Sequence, residues 1–121
     1  MKGVSLKKST GRIEVELNAL WVGGKDLVVI ISGGKGHIGA VASGTNCGGL
    51  AISSVLTTPG HRDDRIAKDA AERISKKLGC SCAVVAGVHY DDITAQEIKD
   101  VLAISSSLVE ELEGALRTEG L

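Results

Sequence analysis

Apolar and polar residues alternate between Thr10 and Val22, where Ile13, Val15 and Leu17 are spaced by Glu14 and Glu16 behind Arg12. A period of two predicts a strand with one buried face. Gly23-Gly24-Lys25-Asp26 carries the residues of a hairpin turn. Leu27-Val28-Val29-Ile30-Ile31 is apolar without interruption, as expected of a central strand. After a glycine loop at 33–36, the segments His37–Ser43 and Leu50–Thr57 read as a third and a fourth strand. Gly44-Thr45-Asn46-Cys47-Gly48-Gly49 joins them, and Pro59-Gly60 stops the second.

Beyond Pro59 the period changes. From about Arg62 to Leu78, Ile66, Ala70, Ile74 and Leu78 recur every four residues beside Ala67 and Ala71, which predicts a helix with one buried stripe. Gly79 is placed to cap its C-terminus. Cys82–Val88 reads as a fifth strand. Thr94-x-x-Glu97 is a capping box, and it opens a last helix buried through Ile98, Val101, Leu102, Ser105, Leu108, Val109, Leu112 and Leu116. Gly114 weakens its final turns.

The order ββββαβα predicts an α+β fold, a mainly antiparallel sheet of about five strands with the helices on one face. The fifth strand follows a helix, which allows it to pair parallel with an earlier one. The strand at 27–31 is apolar on both sides, so the uncovered face is expected to meet a partner subunit and the chain to be a homo-oligomer.

Composition narrows the classes. The 121 residues suit one domain, 1–121, and with no Phe, one Trp and one Tyr the core falls to Val, Ile, Leu and Ala. Fourteen basic against fifteen acidic residues give a net charge of −1, without a basic stripe or aromatic platform, which argues against nucleic acid. No apolar run approaches the roughly 20 residues of a membrane span, and residues 1–8 lack the apolar core of a signal peptide. Three cysteines, Cys47, Cys80 and Cys82, are an odd count that fits a reducing cytoplasm. Cys80 and Cys82 alternate as strand residues do and read as small core positions rather than a thiolate metal pair.

Chemistry-bearing residues gather at the bends. His-x-Asp-Asp occurs twice, as His61-Arg62-Asp63-Asp64 and His89-Tyr90-Asp91-Asp92, each time after a strand and ahead of a helix. The remaining histidine, His37, lies in Gly33-Gly34-Lys35-Gly36-His37-Ile38-Gly39. Aspartates at helix starts are ordinarily caps, but capping does not account for a histidine at the same offset in both strings. Oxygen and nitrogen donors of this kind suit Mg²⁺, Mn²⁺, Fe²⁺ or Zn²⁺, with His61, Asp63, Asp64, His89, Asp91 and Asp92 as candidate ligands. A phosphate would be met by Arg62, Lys35 and the loop amides at Gly34 and Gly36. Gly34-x-Gly36-x-x-Gly39 spells the dinucleotide fingerprint, yet no helical pattern follows it, so a glycine turn between strands is the expected structure.

Three strings, His37-Ile38-Gly39-Ala40-Val41-Ala42, Ser54-Val55-Leu56-Thr57-Thr58-Pro59-Gly60-His61-Arg62-Asp63-Asp64 and Ala86-Gly87-Val88-His89-Tyr90-Asp91-Asp92-Ile93-Thr94, together resemble the prenylated-flavin chaperone-like family, related to the small D subunit of gallate decarboxylase. The resemblance spans about residues 10–112. It implies a non-catalytic partner of a UbiD-like decarboxylase that binds or delivers prenylated flavin mononucleotide (FMN). Carried over by motif, it points to His37, His61, Asp63, Asp64, His89, Asp91 and Asp92 for cofactor or metal contact. Joined with the phosphate reading, the expected cofactor-binding set is Gly34, Lys35, Gly36, His37, His61, Arg62 and His89. With only Trp21 and Tyr90 available to stack on a flavin, aliphatic side chains and glycine backbone would supply most of the ring contact.

The residues leave two other readings open. One is a small metal-dependent enzyme using metal-activated water at the His/Asp cluster. The other is a structural assembly subunit in which the His-x-Asp-Asp strings are only caps.

Overall fold

The computed structural model describes residues 3–48, 50–57 and 63–118. Its elements are β1 (Gly3–Thr10), β2 (Ile13–Val22), β3 (Asp26–Gly34), β4 (Ala40–Cys47), β5 (Leu50–Thr57), α1 (Asp64–Leu78), β6 (Cys82–His89) and α2 (Ala95–Thr118). The fold is α+β, with one sheet in the order β1-β2-β3-β6-β4-β5. Every neighbouring pair is antiparallel except β3 and β6, which run parallel. Both helices cover the same face: α1 lies over β4, β5 and β6, and α2 over β1 and β2.

Three features differ from the pattern-based expectation. The sheet has six strands, because β1 precedes the first one read from the alternation. β1 holds only Val4 and Leu6 as apolar residues, half-buried at a sheet edge, too few to register as a period. It pairs along its whole length with β2 through a turn at Gly11-Arg12, where Gly11 has φ 59°, a left-handed geometry natural to glycine in a tight hairpin. Second, β3 and β4 are not neighbours, since β6 is inserted between them and bonds to both. Third, β4 begins at Ala40, and His37 belongs to the loop before it.

Alternation builds the core. Ile13, Val15, Leu17 and Ala19 of β2, Leu27, Val29 and Ile31 of β3, Ala40 and Ala42 of β4, and Val84 and Ala86 of β6 all turn toward the helices and are buried. They meet Ile66, Ala67, Ala70, Ala71 and Ile74 of α1 and Ile104, Leu108, Leu112 and Leu116 of α2. The alanine stripe lets α1 lie close to the sheet. At Gly44 of β4 an added Cβ would stand 2.4 Å from the Ala71 carbonyl oxygen, so helix and strand approach where no side chain intervenes.

The helix ends follow the expected signals. Gly79 has φ 66° and donates its N–H to Ser75 O at 3.0 Å. Glu97 N–H donates to Thr94 Oγ1 at 3.1 Å while Thr94 N–H donates to Glu97 Oε1 at 3.0 Å, a closed capping box. Ile98, expected in the buried stripe, is 48% exposed. It sits in the first turn, ahead of Val101, the first residue of α2 to enter the core. Cys82 is a core residue whose thiol burial pushes up to about 11, and burial also raises half-buried Cys80, so both are inert thiols at neutral pH. Among the described residues no helix is long and apolar enough to cross a membrane.

Two glycine substitutions should move stability in opposite directions. Gly44→Ala forces α1 off β4 and should cost about 1–3 kcal/mol. Gly114→Ala, in a helix with open space around the position, should gain about 0.5–1 kcal/mol. Urea midpoints of the two variants against the parent check the signs.

Candidate functional site

Three segments converge at one end of the sheet. The parallel strands β3 and β6 both finish there, with Gly34 opposite His89 in register. Ends of parallel strands where the chain changes direction are favoured ligand positions in α/β sheets. The loop from Lys35 to Gly39 crosses this end before entering β4, and the N-terminus of α1 arrives beside it. Lys35 N–H donates to His89 O and Gly39 N–H to Ala86 O, both at 2.9 Å. The crossing needs glycine below it and within it. An added Cβ at Gly87 would lie 1.5 Å from His37 O, and one at Gly39 would lie 1.8 Å from Asp63 Oδ2.

Around this crossing the polar side chains form a continuous set. His37 Nε2 is 3.3 Å from Asp63 Oδ2, and Asp63 Oδ1 accepts the Val88 N–H at 3.1 Å. The His37 and His89 rings stand edge to face, 6.1 Å between centroids. His89 Nε2 is 3.1 Å from Asp91 Oδ1, and Lys35 Nζ donates to Asp91 Oδ2 at 2.7 Å. The bond from Lys35, and after it that from His89, holds the Asp91 carboxyl below its usual range.

These aspartates are not spent on capping. Asp63 occupies the N-cap position of α1 but makes no side-chain cap bond there; its buried carboxylate turns to Val88 and His37 instead. α2 is capped by Thr94, leaving Asp91 for Lys35 and His89. Asp92 is exposed and has φ 54°, a left-handed conformation that aspartate tolerates at tight bends. Asp64 is the first residue of α1 and is half-buried.

Of the residues singled out from sequence, Gly34, Lys35, Gly36, His37, Asp63, His89 and Asp91 are thus brought to one end of the sheet. His61 and Arg62 lie outside the described residues. Among the described residues no group of three or more His, Cys, Asp or Glu is placed to hold a metal ion. The glycine loop leads into β4, not into a helix, so the dinucleotide fingerprint is a turn between strands. Its amides are largely committed: Lys35 and Gly39 donate as described, and Gly36 N–H donates to Gly34 O at 3.0 Å. Lys35 Nζ and the half-exposed His89 imidazole are therefore the donors nearest solvent for an anion, while His37 turns inward to Asp63.

Beside this cluster a polar cleft of about 530 Å³ opens on the helix-free side, bordered by Arg12, Glu14, Glu16, Ser32, Gly34, Gly36 and Tyr90. Gly36 leaves its floor flat, since the nearest atom to an added Cβ is Ser32 Cβ at 3.5 Å. Sequence reasoning passed over Arg12 and gave Tyr90 only a stacking role. Tyr90 Oη donates to Glu14 O at 2.8 Å and accepts Glu14 N–H at 2.7 Å, fastening the end of β6 to β2. Arg12 donates to Glu97 at 2.7 and 3.0 Å and to Asp91 O at 2.9 Å, with its guanidinium 5.6 Å from the Tyr90 ring centroid. Only the fold, which joins residues 79 positions apart, reveals that tie. Trp21, the other aromatic residue, packs against the core instead.

The Arg12 tie has a pH signature. Its hydrogen bonds, with the Thr94 amide second, hold the Glu97 carboxyl down to about 2 from an ordinary 4.5. A lowered folded pKa stabilises fully above the ordinary value, and the contribution is lost as pH falls toward the folded one. The start of α2 should therefore loosen between about pH 4.5 and 2. Carbon-13 NMR should find Glu97 titrating near the bottom of that window in the parent and higher within it in Arg12→Ala, where the Thr94 bond remains.

Comparison with known proteins fits this geometry to a family. Residues 9–117 match the model of the prenylated flavin chaperone LpdD-like domain. The chain is 30% identical over 95 residues to protein LpdD of Lactiplantibacillus plantarum, covering 74% of this chain and 68% of that protein. Its fold is similar to a chain in the crystal structure of a chaperone complex for yeast 20S proteasome assembly. That match has a TM-score of 0.66 at 12% identity and covers 93% of this chain and 95% of the other. The length of the family match and the identity to a curated member place this chain in the prenylated flavin chaperone LpdD-like domain family.

Proposed function

We propose that this chain is a non-catalytic cytoplasmic accessory protein, acting as a homo-oligomer. In this reading it binds prenylated FMN at the His37–His89 cluster and delivers it to a UbiD-like decarboxylase. The supporting observation is the convergence of Lys35, His37, Asp63, His89 and Asp91 from three separate segments. Helix capping does not explain it, because Asp63 makes no cap bond and Thr94 caps α2.

The residues fit the group. Lys35 Nζ and the His89 imidazole would face the phosphate, with His37 behind them against Asp63; His61 and Arg62 are further candidates on the sequence alone. The cleft over Gly34 and Gly36 would take the flat ring against backbone, with Tyr90 at its border. The decarboxylation chemistry is the cofactor's own and is carried out in the partner enzyme. This chain's residues bind, orient and release.

Anaerobic native mass spectrometry tests the reading on protein co-produced with a flavin prenyltransferase. A mass increment of one prenylated FMN per chain is expected, reduced at least tenfold in His37→Ala and in His89→Ala while circular dichroism shows the parent fold. Protein that carries a divalent metal and no flavin would replace this reading with the metal-dependent enzyme. Protein that carries neither would leave a structural assembly subunit.

A further inference from the structure

We propose that the helix-free face of the sheet is the surface through which two copies of this chain pack, sheet against sheet. The inference fills in the homo-oligomeric part of the function above; the cleft over Gly34 and Gly36 lies at one corner of the same face, beyond its apolar row.

The face presents an unbroken apolar row. Leu56, Val41, Val85 and Ile30 are successive cross-strand partners on β5, β4, β6 and β3. Leu20 lies opposite Val28 one step away, and Val22 continues the patch along β2. Leu56 is 78% exposed, Val22 47%, Ile30 41% and Val41 38%, whereas Val84 and Val29 on the helix face are fully buried. Contiguous exposed valine, leucine and isoleucine of this extent mark an interaction surface on a soluble protein. In a sheet of β-branched residues apolar on both sides, the second side is ordinarily covered.

Charge and size identify the occupant. The centre of the face, at Val28, Ile30, Val41, Ser43, Ala83 and Val85, carries no charge. Its charges sit at the margins and have both signs, with Lys7 Nζ 3.8 Å from Glu14 Oε1, Glu16 close by on β2, and Asp26 opposite Val22 at the start of β3. A partner selected by charge would meet one sign; a second copy brings the same mixture and satisfies both under a two-fold axis. Six strands at about 4.8 Å spacing and roughly 26 Å long make a face on the order of 700 Å². A stable pair typically buries about 800 Å² on each side. Stacked sheets about 10 Å apart would then form a sandwich with the helices outside.

Sedimentation equilibrium of the full chain over a wide concentration range tests the proposal. The expected mass is twice the 12.5 kDa of the chain. Ile30→Lys should raise the dimer dissociation constant roughly a hundredfold or more by placing an unpaired charge in the centre of the contact. Leu56→Glu, at a position so exposed that the isolated fold loses little, should weaken the pair in the same direction should Ile30→Lys fail to fold. Lys68→Glu, on the outer side of α1, should leave the mass unchanged. A parent chain that stays monomeric overturns the proposal, including one whose open face binds a decarboxylase instead. So does a dimer that survives both sheet-face variants. A chain that dimerises as described but gains no flavin mass would retain this interface and lose only the cofactor reading.

Discussion

The insertion of β6 between β3 and β4 organises the molecule. β6 pairs parallel with β3 on one side and antiparallel with β4 on the other. Reaching that slot requires the chain to leave β5 at the sheet edge, cross the face as α1 and descend beside β3. The crossover is compact because α1 meets the sheet through alanines and Gly44. A bulkier stripe would lift the helix and pull β6 out of hydrogen-bonding reach. Once β6 is seated, its end lies against the end of β3, and the loop from Lys35 to Gly39 has to pass over it. The site is a consequence of that seating.

The crossing also explains why so much glycine is concentrated here. Gly34 adopts φ 61°, and an added Cβ would stand 2.2 Å from His89 O. Gly87 and Gly39 clear the path of the loop, one from the strand below and one from within. The same contacts that allow the loop to cross place His37 between Asp63 and His89. Packing and polar chemistry are thus one arrangement, and a side chain added at either glycine would displace both.

Much of this was legible from the chain. Alternation at Ile13–Leu17, the unbroken run at Leu27–Ile31 and the four-residue repeat from Ile66 to Leu78 are strong local signals, and the elements they predict are present. The Thr94–Glu97 box forms bond for bond. What escaped was non-local. β1 has two apolar residues and owes its strand to pairing with β2. The split of β3 from β4 is decided by where β6 fits, which no window of sequence contains. The site residues were recognisable as types at bends, but their grouping depends on His37 being carried to Asp63 and His89. Arg12 joins the neighbourhood only through residues 79 and 85 positions away. Ile98 shows the converse error: it keeps the helical period yet lies in the first turn, where the period outruns the core.

The electrostatics of the cluster divide into a loose outer pair and a fixed inner one. Lys35 and Asp91 are mostly exposed, at 75% and 60% of their side chains, and exposed pairs of this kind contribute little to stability. Lys35 and Asp91 can therefore part and re-form at small cost. Asp63 is different: buried, bonded to the Val88 amide and facing His37, it belongs to the frame and keeps His37 in place when the outer pair exchanges. The cluster thus combines a rigid inner carboxylate with a loosely paired outer ammonium, two layers that differ in burial and in how readily each can exchange its partner.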